Sequence, residues 1–318
     1  MKIIFMGTPD FAVPVLRTLY ESRHEVVAVY TKPDEERGRG KKVSFSPVKE
    51  YALESGIPVY QPEKLRAKET VEVLKKIEAD LIVVAAYGKI LKKNVLEMKR
   101  FGCINVHASL LPSYRGAAPI QWAVINGEKK SGVTIMQMDE GLDTGDILNM
   151  REIELDPKET SGSLFEKLSA IGGPLLLETL DALEAGRLQP RKQGETDTAY
   201  ALMLDKSMGE IDYGRTASEA ERWIRGLDPW PSAYTYLNGR ILKIWDAEVI
   251  PCSSEEAPGT VVEVTKRDFS VRFREGALRI KELQPEGKIR MTSDAFLRGY
   301  DLKAGEVFTK KPQTEEAL

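Results

Sequence analysis

The amino-acid sequence predicts an α/β protein: a doubly wound, mostly parallel sheet followed by a small OB-like β-barrel. Three observations lead there. Strand-like and helix-like apolar patterns alternate from residue 1 to about 155. Residues 80–87 hold a near-continuous apolar run, as a central parallel strand covered on both faces requires. Past residue 206, short β-prone runs succeed one another with turn residues between them.

The elements follow in order. Residues 3–6 read as a short buried strand and 11–20 as a helix, with Pro14 tolerable only in its early turns. Residues 25–31 form a second strand. A helix over 47–55 has Ser46 as its N-cap and Pro47 in its first position. Residues 57–60 are strand-like, 67–76 an amphipathic helix, and 80–87 and 102–108 two further strands. The rhythm then changes: 132–138 and 147–155 are strands joined by a loop. Residues 161–185 are helical, with a break or bend expected at Gly172-Gly173-Pro174. Residues 187–205 are polar, without period, and suit a linker. A short helix covers 217–227. Residues 234–245 form a hairpin turning at Asn238-Gly239, and strands follow over 260–265, 269–273 and 277–283. The expected division is therefore 1–186, a linker over 187–205, and a barrel over 206–318.

Composition narrows the function classes. The chain has 318 residues, 42% hydrophobic and 30% charged, with a net charge of -3. A polyanionic partner must then be met by a local basic patch rather than by the field of the whole molecule. Cys103 and Cys252 are far apart, which argues against a disulfide framework or a zinc site and fits a reducing compartment. No run approaches the ~20 apolar residues of a membrane span, and none reads as a signal peptide, so a cytoplasmic location is expected.

His107 is one of only two histidines and stands with Asn105 at the end of a predicted strand. Alternation puts both on one face, opposite Ile104 and Val106. An amide donor beside an imidazole can hold a developing negative charge or manage a proton. A core histidine satisfied by a neighbour is the competing explanation. In Gly141-Leu-Asp-Thr-Gly-Asp146, flanking glycines let Asp143 approach a ligand or His107. A turn whose aspartates bond their own backbone is the simpler alternative. Ser109-Leu110-Leu111-Pro112 could wall a pocket for a flat heterocycle, or merely lead out of the strand. Arg37-Gly-Arg39-Gly-Lys41-Lys42 is either a phosphate-contacting arm or a solvated charge run. Neither it nor Gly7-Thr-Pro-Asp10 matches the glycine spacing of nucleotide-phosphate cradles.

Together these segments resemble the formyltetrahydrofolate-dependent formyltransferases, specifically those acting on initiator methionyl-tRNA. The resemblance runs nearly the whole chain. It rests on residues 6–11, 38–42, 86–88, 103–119, 132–138, 141–146 and Pro229-Trp-Pro231. It implies a Rossmann-like formyltransferase domain and a barrel that touches tRNA. It implies Asn105, His107 and Asp143 as the catalytic set, with 10-formyltetrahydrofolate as co-substrate and no metal. It places Ser109, Leu110, Leu111, Pro112, Asp139 and Gly141 at the folate site. It gives Arg37, Arg39, Lys41 and Lys42 to the initiator tRNA, and it fits a monomer without membrane attachment. Two stretches depart from the family pattern. Residues 34–36 set carboxylates beside the basic loop, which would weaken its pull or set its pose, and 204–212 are unusual. Cations at Lys266, Arg267, Arg272, Arg274 and Arg279 could meet tRNA from the barrel, Arg272 and Arg274 by sharing a strand face. Tyr234, Tyr236 and Trp245 could stack on bases or pack in the core. Formyl transfer to a small amine (an amino sugar or a purine precursor), hydrolysis of the folate, and non-catalytic RNA binding remain as rivals.

Overall fold

A computed structural model describes residues 1–37 and 42–310. The chain divides into two units. The first comprises 1–119, 130–154 and 165–201; the second comprises 120–129, 155–164 and everything from 202 onward.

In the first unit, β1 (Lys2–Gly7), α1 (Ala12–Tyr20) and β2 (Glu25–Tyr30) open the sheet. A two-stranded ladder follows, β3 (Glu35–Arg37) with β4 (Lys42–Ser44). Then come α2 (Pro47–Glu54), β5 (Val59–Tyr60), α3 (Lys68–Lys76), β6 (Leu81–Ala85), α4 (Lys93–Leu96) and β7 (Cys103–His107). Helix α5 (Pro119–Ile125), which belongs to the second unit from Ile120 onward, precedes the long strands β8 (Lys130–Gln137) and β9 (Ile147–Glu154). Strand order is β5-β2-β1-β6-β7-β8-β9. Pairing is parallel as far as β7 and antiparallel beyond it. The order reverses between β1 and β6, and in such sheets ligands sit beyond the carboxyl ends of strands near that point.

Local chemistry explains several boundaries. The Ser46 hydroxyl accepts from the Lys49 amide at 3.1 Å, so α2 starts where its cap predicts. Every residue of β6 is buried, which is why its sequence does not alternate. The expected break in the long helix does not occur: α6 runs from Ser161 to Glu184 with Pro174 inside it. Its glycines serve contact instead. A Cβ on Gly173 would lie 2.4 Å from the Thr18 hydroxyl oxygen, so glycine lets α6 come close to α1.

In the second unit, α7 (Ala217–Gly226) begins with a capping box between Thr216 and Glu219. Its Trp223 meets Trp122 of α5 edge to face, ring centres 6.0 Å apart. Strands β10 (Ala233–Leu237) and β11 (Arg240–Ile250) form the expected hairpin; Asn238 and Gly239 both have positive φ, as a type I′ turn needs. They are followed by β12 (Val261–Val264), β13 (Phe269–Arg272), β14 (Ala277–Pro285), β15 (Met291–Thr292) and α8 (Ser293–Leu297). The antiparallel order is β10-β11-β14-β13-β12, with β15 on β14. Residues 305–309 join its edges: Thr309 exchanges bonds with Tyr236 of β10, while Glu306 and Phe308 bond Val261 and Gly259. The interior holds Leu242, Ile244, Val271, Phe269, Leu278 and Leu283. Tyr234, Tyr236 and Trp245 alternate with buried residues and are only half-buried, so they lie outside this core. Lys243 and Arg290 sit over the Trp245 ring at 5.6 and 5.1 Å.

Most of the barrel cations considered above are engaged. Arg272 donates to the carbonyls of Ser254, Phe273 and Gly276. Arg279 pairs with Glu263 and Asp268, and Arg274 with Glu219. Arg274 lies beyond the end of β13, so it shares no strand face with Arg272. Among the described residues, no helix is long and apolar enough to cross a membrane.

Candidate active site

The site forms at the carboxyl end of β7. Alternation puts Cys103, Asn105 and His107 on one face of the strand. Register carries that face across the sheet: Asn105 lies beside Val84, Val84 beside Met6, and Met6 beside Tyr30. Asn105 is 9% exposed and His107 6%. Among the described residues, no group bonds the Asn105 carboxamide. Its amide is not sealed from solvent, so the carboxamide is open to a partner from outside the chain.

His107 has a hydrogen-bond partner at one ring nitrogen and a carboxylate near the other. Nε2 lies 3.1 Å from the Tyr114 carbonyl, which can only accept, so Nε2 carries hydrogen and donates it. Nδ1 faces Asp143, with Oδ2 at 3.9 Å. That separation is too long for a hydrogen bond but suits an ion pair once the ring is protonated. The same Oδ2 accepts from the Gly116 amide at 2.9 Å. Asp143 thus reaches His107, and Asn105 sits two residues away on the same face. Tyr114 and Asp143 both take left-handed backbone, φ 57 and 55. Such a conformation costs roughly 1–2 kcal/mol for a residue with a side chain.

The loops on either side are anchored. Thr134, fully buried and opposite His107, donates to the Ser109 carbonyl at 2.6 Å and accepts from the Leu111 amide at 3.1 Å. Ser109 closes the turn by donating to the Ser113 carbonyl at 2.7 Å. Leu111, followed by a cis bond to Pro112, packs with Met136 and Ile147. Leu110 lies against Gly132 of β8. On the other side, Asp139 accepts from the Gly141 amide and the Thr144 hydroxyl, at 3.1 and 2.8 Å. One oxygen of this exposed carboxylate therefore shapes its own turn. Gly145 is forced by proximity: a Cβ there would lie 1.8 Å from the Gln137 carbonyl oxygen.

Of the basic loop, Arg37 and Lys42 face each other across the β3–β4 ladder; Arg39 and Lys41 lie outside the described residues. The neighbouring acid Asp34 is not a loose charge. The Lys49 ammonium, then the Gln61 amide, hold its carboxyl below the usual range.

Sequence reasoning missed the groups supplied by residues 191–201. Gln193 accepts from Arg115 and donates to the carbonyls of Asp143 and Gly145. Thr198 accepts from the Tyr114 amide. The stretch lacks apolar period because these bonds, not burial, give it order. Only its Gln and Thr residues hinted at such a role.

Both cysteines are free, and burial pushes the Cys103 thiol up to about 12. In the native protein a thiol reagent should label Cys252 alone. Denaturation should release the second thiol, and mass spectrometry of the labelled chain checks this.

Comparison with known proteins agrees with this architecture. The formyl transferase family model matches residues 1–180, and the model for the formyl transferase C-terminal domain matches 203–301. Methionyl-tRNA formyltransferase of Lachnospira eligens is 54% identical, covering 96% of this chain and 98% of that one. The enzyme of the same name from Clostridium novyi is 48% identical over 96% and 99%. Among solved structures, the sugar 3N-formyl transferase WlaRD superposes with a TM-score of 0.66 at 22% identity, covering 91% of this chain and 99% of that one. A Helicobacter canadensis N-formyltransferase gives 0.62 at 20%, covering 88% and 98%.

Proposed function

Because the chain belongs to the formyl transferase family and aligns end to end with methionyl-tRNA formyltransferases, we infer that it formylates the α-amine of initiator methionyl-tRNA. The donor is 10-formyltetrahydrofolate, which supplies an electrophilic formyl group on nitrogen. One observation carries the assignment of chemistry to this site: the nearly buried Asn105 carboxamide lacks a partner among the described residues, beside a histidine held on both sides. The donor fits that arrangement, since it brings the oxygen the carboxamide lacks. The apolar Leu111 cluster and the anchored Ser109–Pro112 turn offer a wall for its flat ring. Asp139 and Gly141 close the other side.

The residues divide the work. Asn105 donates N–H to the oxygen that gains negative charge as the amine attacks, an interaction strongest in the transition state. His107 moves the proton. With Nε2–H committed to Tyr114, Nδ1 receives the hydrogen lost by the amine and returns it to the departing nitrogen. Asp143 stabilises the ring while it is charged. The proton count closes: one leaves the attacking amine and one arrives on the leaving group. Assay of formyl transfer to charged initiator tRNA tests the reading, and failure to formylate it at any enzyme concentration would refute it.

Arg37, Arg39, Lys41 and Lys42 form the phosphate-contacting arm, and the second unit adds further tRNA contact. Arg39→Ala is expected to raise the KM for methionyl-tRNA about tenfold, with less effect in high salt. The KM for the folate should stay within about twofold, because a phosphate contact carries no folate binding. Steady-state kinetics with each substrate varied in turn distinguishes the two.

A further inference from the structure

We propose that residues 193–201 are a positioning strap for His107, in which Thr198 and Gln193 fix the two turns that face its two ring nitrogens. The inference rests on the catalytic reading of His107 and Asp143 given above. The Tyr114 carbonyl receives Nε2–H, and the Tyr114 amide donates to the Thr198 hydroxyl at 3.0 Å. Asp143 faces Nδ1, and its carbonyl accepts from the Gln193 amide at 2.8 Å, as does that of Gly145 at 2.7 Å. The other end of the Gln193 side chain accepts twice from Arg115, at 2.9 and 2.7 Å. One amide thus spans both turns. The strap ends in main-chain bonds: Ala201 donates to the Arg115 carbonyl and accepts from Ala117 and Ala118.

The backbone states why such a strap is needed. Tyr114 and Asp143 are both left-handed, and residues in that region persist only where their surroundings over-determine them. The two that flank His107 are each tied by the strap. Gln193 and Thr198 touch no reacting atom on this account; they act through Asp143 and Tyr114.

A double-mutant cycle separates positioning from general support. Gln193→Ala is expected to lower kcat about tenfold or more, as small displacements of catalytic groups do, with the folate KM within about threefold. Gln193→Glu should lose as much, since a carboxylate still accepts from Arg115 but donates to neither carbonyl. Combined with Asp143→Asn, Gln193→Ala should cost less than about twofold beyond Asp143→Asn alone, because both remove the same interaction. Losses that multiply, or a Gln193→Ala kcat within about twofold of the unaltered protein, overturn the strap. Should Gln193→Ala fail to fold, Thr198→Val decides by nitrogen NMR of the two imidazoles, assigned with His24→Gln. The expected result is a single Nε2–H form of His107 that becomes a tautomer mixture in Thr198→Val; an unchanged tautomer overturns the strap. Full activity of Asp143→Asn would instead refute the catalytic reading itself, so the two failures are distinguishable.

Discussion

Asn105→Ala is expected to lower kcat for formyl transfer about 10²–10³-fold, the usual cost of losing one donor to a developing oxyanion. The melting temperature should not fall. The carboxamide bonds no described residue, so truncation breaks no internal hydrogen bond. The combination is diagnostic. A structural asparagine would lose stability first and activity as a consequence. Comparing kcat with thermal unfolding on the same preparation checks it; near-normal turnover, or a large drop in melting temperature, contradicts the role given to Asn105.

His107→Ala should behave differently. Turnover is expected to fall by about 10³-fold, within the range a positioned acid–base group contributes, because the proposed mechanism routes proton transfer through the ring. Here stability should suffer as well. The variant leaves the Tyr114 carbonyl without its Nε2–H donor, and an unpaired buried acceptor costs about 1–3 kcal/mol. It also opens a small cavity under a residue already in left-handed backbone. Chemical denaturation of His107→Ala and Asn105→Ala side by side should therefore show a loss of stability for His107→Ala and none for Asn105→Ala. Equal stabilities would show that the Tyr114 contact does not hold the loop.

Features governed by local rules were legible in advance. Strand alternation placed Asn105 and His107 together, Ser46-Pro47 marked a helix start, and Asn238-Gly239 marked a hairpin. The glycines of the Gly141–Asp146 loop pointed to approach to a ligand; what the fold shows is Gly145 packed against the Gln137 carbonyl. What escaped depends on partners distant in sequence. Gly172-Gly173-Pro174 read as a helix break or bend, yet the helix is unbroken there and Gly173 accommodates Thr18, some 150 residues earlier. The polar stretch after residue 187 lacks period because amide and hydroxyl bonds to residues 114–118 and 143–147 order it. Single-residue bridges near 305–309 link the edges of the barrel, and no pattern announces a lone bridge. Nor could composition say that Arg272 and Arg279 are occupied by neighbouring carbonyls and carboxylates.

Cys103 lies one alternation below Asn105, its sulfur directed to the Val95 carbonyl at 3.7 Å. If the formyl donor binds at Asn105 as proposed, a thiol on the same strand face could compete for it and give a thioester dead end. Kept protonated in the apolar layer, this sulfur is a poor nucleophile at any pH the enzyme meets. On the proposed chemistry, the strand that carries Asn105 thereby also keeps the enzyme from acylating itself.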